Sequence, residues 1–251
     1  MIPFPRSTKY DHLLVKQKSV GGNILYSTEA LANHLSLKQG MRVLDLGSGM
    51  GLSSVFLANE YGVTVWTVDS FFSPTENFKL AQEFELSDQI LPIKCDARNL
   101  PMPECFFDCI IIVNSYYYFG TDDKYLPYLA RFLKPNGQLG ISDICFRKEI
   151  NKISEVPSYL KRDFAHYWQH VHSIDWWSNK WQKTGLVDID YQGFVNGEQR
   201  QIIINDYIEF SLSKPYEAFA KGLQQDKRGL IDFFVLTAIR NDRKAFLEDH
   251  F

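Results

Sequence analysis

Val43-Leu44-Asp45-Leu46-Gly47-Ser48-Gly49-Met50-Gly51 runs a hydrophobic stretch straight into three glycines at spacing two, and Gly51–Tyr61 then reads as a helix closed by Gly62. Strand, tight turn and helix in that order place the turn at the carboxyl edge of a parallel sheet, where ligands of open α/β folds bind. Glycines there let the chain bend sharply and let a ligand approach without meeting a Cβ. On either side the pattern keeps alternating. Met41–Leu46, Val63–Val68, Ile90–Ile93, Phe107–Val113 and Gln138–Ile144 read as strands. Residues 23–37, Pro74–Phe84 and Asp122–Leu133 read as helices, the first stopped by Lys38-Gln39-Gly40 and the last by Lys134-Pro135-Asn136-Gly137. Strands alternating with helices imply βαβ units, and the uninterrupted apolar runs imply strands covered on both faces. The fold class expected is α/β, a doubly wound, mostly parallel sheet.

After Ile144 the rhythm breaks. Residues 146–173 are irregular and aromatic, Asp175–Thr184 is a short helix, Leu186–Tyr191 a strand, 194–230 a largely helical insertion, and Leu230–Arg240 a returning strand. The organisation expected is a loosely attached N-terminal arm over 1–22 and one domain over 23–251. Segments 146–173 and 194–230 form an inserted helical and aromatic cap across the carboxyl edge.

The chain has 251 residues, 45% apolar and 23% charged, which suits one large globular domain and excludes wholesale disorder. Its net charge of −3 provides no basic excess for a phosphate backbone, so nucleic acid is not an expected partner. No apolar run approaches the length of a membrane span, so no stable membrane insertion is expected. Met1-Ile2-Pro3-Phe4-Pro5-Arg6 has no signal-peptide pattern. The four cysteines include no Cys-x-x-Cys pair, and a reducing cytoplasm fits them. Oligomeric state is left open, a homo-oligomer included.

The glycine turn admits two readings. A dinucleotide site wants Gly-x-Gly-x-x-Gly/Ala, but here the third glycine comes one residue early and Leu52 holds the Gly/Ala position. Asp45 would also face a pyrophosphate unfavourably. A carboxylate there suits a ligand bearing an ammonium and a sulfonium, which describes S-adenosylmethionine (SAM). The Asp-x-Gly-x-Gly-x-Gly segment resembles the first motif of the class I SAM-dependent methyltransferases.

Further matches follow in order. Asp69 ends the second strand, 18 residues after Gly51, where an acidic side chain can accept both hydrogen bonds of a ribose diol. Cys95-Asp96-Ala97-Arg98-Asn99-Leu100-Pro101 follows the third strand, Phe107-Asp108-Cys109-Ile110-Ile111-Ile112-Val113-Asn114-Ser115 resembles the family's fourth, and Leu133-Lys134-Pro135-Asn136-Gly137 its Leu-Lys-Pro-Gly-Gly turn. Within the class, Phe56-Leu57-Ala58-Asn59-Glu60-Tyr61-Gly62 and Tyr116-Tyr117-Tyr118-Phe119-Gly120-Thr121-Asp122 are similar to the small-molecule group that includes the cyclopropane-fatty-acyl-phospholipid-synthase-like and UbiE-like enzymes.

The resemblance implies seven strands, the last antiparallel, and SAM as methyl donor, with S-adenosylhomocysteine as product. It implies that Asp45, Gly47, Gly49 and Gly51 hold the methionine moiety, Asp69 with Ser70 the ribose, Asp96 and Ala97 the adenine, and Asn114 the region of the sulfonium. The acceptor expected is a small molecule, an amine or a partly apolar metabolite. That group often carries Asp and His at the places of Asn114 and Tyr117. Their absence motivates an alternative, a SAM- or nucleoside-binding module without turnover. An NAD-dependent oxidoreductase is the reading that Leu52 and Asp45 disfavour.

Tyr116, Tyr117 and Tyr118 follow the fourth strand where an acceptor would sit, and tyrosines there can bind a cationic amine or donate a hydrogen bond. His166, His170 and His172 lie in the cap, and His170 is the candidate base among them. His166 and His170 share a helical face, but no third ligand accompanies them, so no metal is expected.

Overall fold

The computed structural model describes residues 2–164, 168–211 and 217–241. Its elements are α1 (His12–Lys18), α2 (Ile24–Ala32), β1 (Arg42–Leu46), α3 (Leu52–Tyr61), β2 (Thr64–Asp69), α4 (Pro74–Glu83), β3 (Ile90–Lys94), β4 (Phe107–Val113), α5 (Tyr125–Ala130), β5 (Leu133–Phe146), α6 (Ser158–Phe164), α7 (Ile174–Lys183), β6 (Val187–Phe194), α8 (Gly197–Ser211), α9 (Glu217–Gln225) and β7 (Ile231–Arg240). The strands form one seven-stranded sheet in the order β3-β2-β1-β4-β5-β7-β6. The pairs from β3 through to β5 are parallel, and β7 runs antiparallel to both β5 and β6, as expected. The order reverses between β1 and β4, so the glycine turn after β1 stands at the topological switch point.

Strand periodicity divides the apolar side chains between two cores. Val43, Val65 and Ile111 face one, with α2, α3 and α4, and that core continues into α6, α8 and α9. Leu44, Leu46, Ile110 and Ile112 face the other, with α5 and α7. Residues 52–58 of α3 are all buried, so this helix carries no polar stripe along them, and its two serines there are turned to a buried partner. β5 and β6 end, and β7 begins, at the carboxyl edge, so the segments that follow β5 and β6 leave the sheet on the side of the glycine turn.

Three local expectations are corrected. The helix over 23–37 stops at Ala32, because Gln138 in β5 accepts the Ser36 N–H at 2.7 Å and draws the chain out. The helix over Asp122–Leu133 shrinks to α5, since the Asp122 carboxylate turns the chain at Lys124 N and Leu133 is already paired with Phe107 in the sheet. Strand β5 begins at that pair and bulges through 134–137, with Asn136 left-handed at φ 60°, before rejoining β4 at Gln138.

The N-terminal arm is not loose. Phe4 is buried and stacks on Tyr26 with ring centres 4.5 Å apart, and the buried Glu29 carboxylate accepts the backbone N–H groups of Arg6 and Ser7. His12 and Lys16 of α1 pair with Glu209 of α8, and Asn23 donates to Asp206 of the same helix.

Candidate functional site

The site begins at the end of β1. Gly47, Gly49 and Gly51 all adopt positive φ, and the turn is pinned to β2 by Gly47 N and Ser48 N, which both donate to Val68 O. At Gly47 the requirement for glycine is twofold. Its φ is 76°, and a Cβ there would lie 2.3 Å from Ser115 Oγ. The turn therefore rests directly on the segment that leaves β4.

Asp69 closes the other side. Its Oδ2 accepts Gly49 N at 2.9 Å, and its Oδ1 accepts Phe71 N at 2.7 Å and Phe72 N at 3.1 Å. One carboxylate thus ties the end of β2 to the glycine turn. Ser70, next in the chain, is exposed, and Phe71 beyond it is 87% exposed. Asn77 in the first turn of α4 donates to Gly49 O at 3.2 Å, while its Oδ1 is buried without a partner.

Asp45 lies beneath this turn, not in its opening. It is fully buried, and its Oδ2 accepts Ser53 Oγ and Ser54 Oγ, both at 2.6 Å, with Thr67 Oγ1 donating in turn to Ser54 Oγ at 2.8 Å. Its carboxylate holds the start of α3 against β1 and β2. Burial pushes Asp45 up to about 6, against the pull of the two serine hydrogen bonds. Because the folded value lies above the ordinary one, the fold binds the proton more tightly than the unfolded chain. Stability should therefore fall as pH rises from about 4 to about 6, by about 2 kcal/mol. In Asp45→Asn that part of the slope should vanish, as read from urea unfolding across the range; an unchanged slope would remove Asp45 as its source.

Cys95 N donates to Asp69 O at 3.1 Å, so the loop after β3 lies beside the end of β2. Asp96 there is exposed and grips Arg98 through two side-chain hydrogen bonds, which hold its carboxyl down at about 2. Ala97 is half-buried, and its carbonyl accepts Tyr125 Oη at 3.1 Å.

On the far side of the turn, Asn114 continues the β4 ladder, donating its N–H to Ser142 O at 2.9 Å, and then turns left-handed at φ 52°. Both polar atoms of its side chain are buried with no hydrogen-bond partner. A desolvated, unpaired amide is costly in a finished fold.

The three tyrosines separate. Tyr116 is core: its hydroxyl accepts Trp181 Nε1 at 3.1 Å, and its ring packs on Trp177, Trp181, Phe119 and Tyr125. This corrects its candidacy as a catalytic group, because its polar atom is already used and its ring is sealed between α5 and α7. The rings of Tyr117 and Tyr118 meet at a tilt with centres 4.1 Å apart, with Tyr118 57% exposed and the Tyr117 hydroxyl near those of Tyr118 and Tyr207 in α8. Burial pushes the Tyr117 hydroxyl far above its usual range, so it stays neutral and acts as a donor, not a base.

In the cap, His170 Nδ1 lies 3.4 Å from Thr121 Oγ1, on the loop that follows the tyrosines. His172 is committed elsewhere, to Glu149 at 2.6 Å and to a parallel stack on Trp176 at 3.6 Å. His166 lies outside the described residues.

The structure therefore ties Asp69 to the glycine turn, sets Ser115, next to Asn114, against Gly47, places the Asp96 loop one strand over, and turns Asp45 and Tyr116 inward. The sequence reading missed Ser53, Ser54, Asn77 and Asp143. Two hydroxyls directly after a glycine turn, and a lone carboxylate in the apolar run Gly140-Ile141-Ser142-Asp143-Ile144, were the available signals. Asn77 carries no such signal.

The model of the family described as a methyltransferase domain matches residues 43–137, from β1 into the turn before β5. Over those residues the chain is similar to a methyltransferase domain. It is 30% identical over 147 residues to "Methyltransferase GfsG" of Streptomyces halstedii, an alignment covering 57% of this chain and 53% of that protein. It is 26% identical to a phosphoethanolamine N-methyltransferase of Triticum aestivum over 178 residues, 68% of this chain and 32% of the other. The chain thus spans about half the length of the first and a third of the second. In three dimensions it resembles phosphoethanolamine N-methyltransferase 2 of Haemonchus contortus, with a TM-score of 0.71 at 17% identity, covering 89% of this chain and 54% of that one. That likeness extends to the fold. Among the described residues no helix is long and apolar enough to cross a membrane.

Proposed function

We propose that this chain transfers the methyl group of SAM to a small-molecule acceptor. The observation that carries the reading is the buried, unpartnered amide of Asn114, one residue before the Ser115 that packs against Gly47 at the switch point. The bound donor supplies an electrophilic methyl group on a sulfonium. The residues supply the rest. The backbone of 47–51 receives the methionine end, Asp69 with Ser70 the ribose, and the Asp96–Ala97 loop the adenine, with Phe71 offering an apolar face to the purine. Asn114 completes its hydrogen bonds beside the sulfonium, and Asp45 acts through α3 by holding the turn in shape. Alignment and exclusion of water provide most of what an in-line displacement needs.

Tyr117 and Tyr118 stand on the acceptor side, with Tyr117 orienting the acceptor as a neutral donor. His170 is the group we assign to proton removal where the acceptor needs it. The aromatic edge suits an amine or a partly apolar molecule, and the phosphoethanolamine methyltransferases among the relatives support an amine. Residues 23–251 act as one domain, with 146–173 and 194–230 as the cap that selects the acceptor. The net charge of −3 favours a small molecule over nucleic acid, and the unpaired cysteines favour the cytoplasm.

Calorimetric titration with SAM, S-adenosylhomocysteine and NADH tests the reading. Micromolar binding of the first two is expected, followed by methylation of amines in an acceptor panel; binding of NADH alone would overturn it. Asn114→Gly carries a sharper signature. Glycine relieves the left-handed φ and removes the orphaned amide, so the free protein should be as stable as wild type or about 1 kcal/mol more stable. SAM affinity should nevertheless drop about tenfold, the scale of one hydrogen bond to a charged ligand. Stability and affinity falling together would show the amide to be structural.

A further inference from the structure

We propose that Asp143 is a positioning residue for methyl transfer: its buried carboxylate holds, through backbone N–H groups, the turn that carries Asn114 and Tyr117. The proposal rests on the SAM-dependent reading for its functional half and on geometry alone for its structural half.

β5 outruns β4 by a few residues. Val113 pairs with Ser142, Asn114 N still donates to Ser142 O, and Asp143 is the next residue along β5. At that point the β4 chain breaks from the sheet into the tight helical turn Tyr116–Tyr118, whose leading N–H groups have no carbonyl within the turn to meet. Asp143 fills that need. Its Oδ2 accepts Tyr116 N at 3.1 Å, the N–H groups of Ser115 and Tyr117 also lie within its reach, and its Oδ1 accepts Ile144 N at 2.9 Å. Ser115, between Asn114 and Tyr116, is anchored separately by Oγ to Leu46 O at 3.1 Å, directly against Gly47. A single carboxylate thus fixes the segment that bears both the orphaned Asn114 amide on the donor side and Tyr117 on the acceptor side.

The side chain that does this is fully buried, and burial pushes Asp143 up to about 7, against the pull of its four backbone donors. The titratable groups that face it are Tyr117 on the turn and Cys145 farther along β5; Asp232 and Arg147 stand next to Cys145, and Tyr207 of α8 next to Tyr117. Protonation replaces one acceptor oxygen with a donor hydroxyl aimed at N–H groups. Asp143→Asn does the same at every pH, setting a donor NH2 where an acceptor oxygen stood, and so loosens the turn and the placement of Asn114 and Tyr117.

Amide hydrogen exchange at Ser115, Tyr116 and Tyr117 is compared in the wild type and in Asp143→Asn at pH 8.5. Protection of the three amides should be about tenfold lower in the variant, on the scale of a hydrogen bond to a charged group, while the amides of β4 stay protected. S-adenosylhomocysteine affinity, measured by calorimetry on the same samples, should fall with it. Equal protection of the three amides in the two proteins, or a loss spread evenly over β4, would overturn the proposal. Absence of S-adenosylhomocysteine binding in both proteins would instead sink the cofactor reading, and the exchange would still decide whether Asp143 holds the turn.

Discussion

Gly47→Ala should bind SAM at least a hundredfold more weakly than the wild type and should unfold at a clearly lower urea concentration. Two separate costs add at this position. The backbone φ of 76° is open to glycine, and a Cβ there adds roughly 1–2 kcal/mol. The new methyl would also stand 2.3 Å from Ser115 Oγ and 2.7 Å from Ser115 Cβ, so one of the two segments must move. If Ser115 moves, its hydrogen bond to Leu46 O is lost, at about 1 kcal/mol, and Asn114 and the Tyr116–Tyr118 turn shift with it. The stability loss should total about 2–4 kcal/mol, within the range that backbone strain and overpacking produce. The costs separate in a second variant. Ser115→Gly in the Gly47→Ala background removes the clash and leaves the φ, so it should restore about half the lost stability but not the affinity. A Gly47→Ala protein that bound SAM normally would mean that the turn does not receive the ligand.

The fold was legible because its signals are local and agree with one another. Apart from Asp45 and Asp108, Val43–Leu46 and Phe107–Val113 are apolar since both sheet faces are covered, and three glycines in five residues leave few alternatives to a ligand turn. What sequence reasoning missed was settled by distant partners. Nothing near Leu35 announces that Gln138, 102 residues on from Ser36, ends α2 early. Nothing in the run of three tyrosines says that the first is sealed against Trp181 while the second turns toward α8. Asp45 shows the limit most clearly. Charge complementarity with an ammonium was a sound reason to aim it at the ligand, but Ser53 and Ser54 follow the turn on the same helix and claim its Oδ2 first. The surroundings of Tyr117 were least legible, because they are assembled from β4, β5 and α8, and none of these specifies its neighbours alone. Gly21 and Gly22 illustrate this: they end the arm that was expected to be loosely attached, yet a Cβ at Gly22 would lie 2.3 Å from the Tyr207 ring.

Asp69→Ala should weaken SAM binding by roughly 1.5–3 kcal/mol, the scale of losing hydrogen bonds to a charged group, or about ten- to a hundredfold. Asp69 is bound to do two things, and the variant removes both. Its oxygens already accept Gly49 N, Phe71 N and Phe72 N, so the carboxylate shapes the opening before any ligand arrives. The lone-pair capacity left over is what a ribose diol would use, since an ionised carboxylate offers about four acceptor positions. Asp69→Asn distinguishes shaping from direct contact. The amide keeps one acceptor oxygen for the N–H groups of Phe71 and Phe72 and aims its NH2 toward Gly49, so part of the shape survives. Comparing S-adenosylhomocysteine with its 2′-deoxy analogue then isolates the ribose contact. In the wild type, deletion of the 2′-hydroxyl should cost about 1.5 kcal/mol or more; in Asp69→Asn it should cost much less, because the partner of that hydroxyl has changed. Equal costs in the two proteins would leave Asp69 as a brace for the glycine turn and move ribose recognition to another residue of the same edge, with Ser70 the first to substitute.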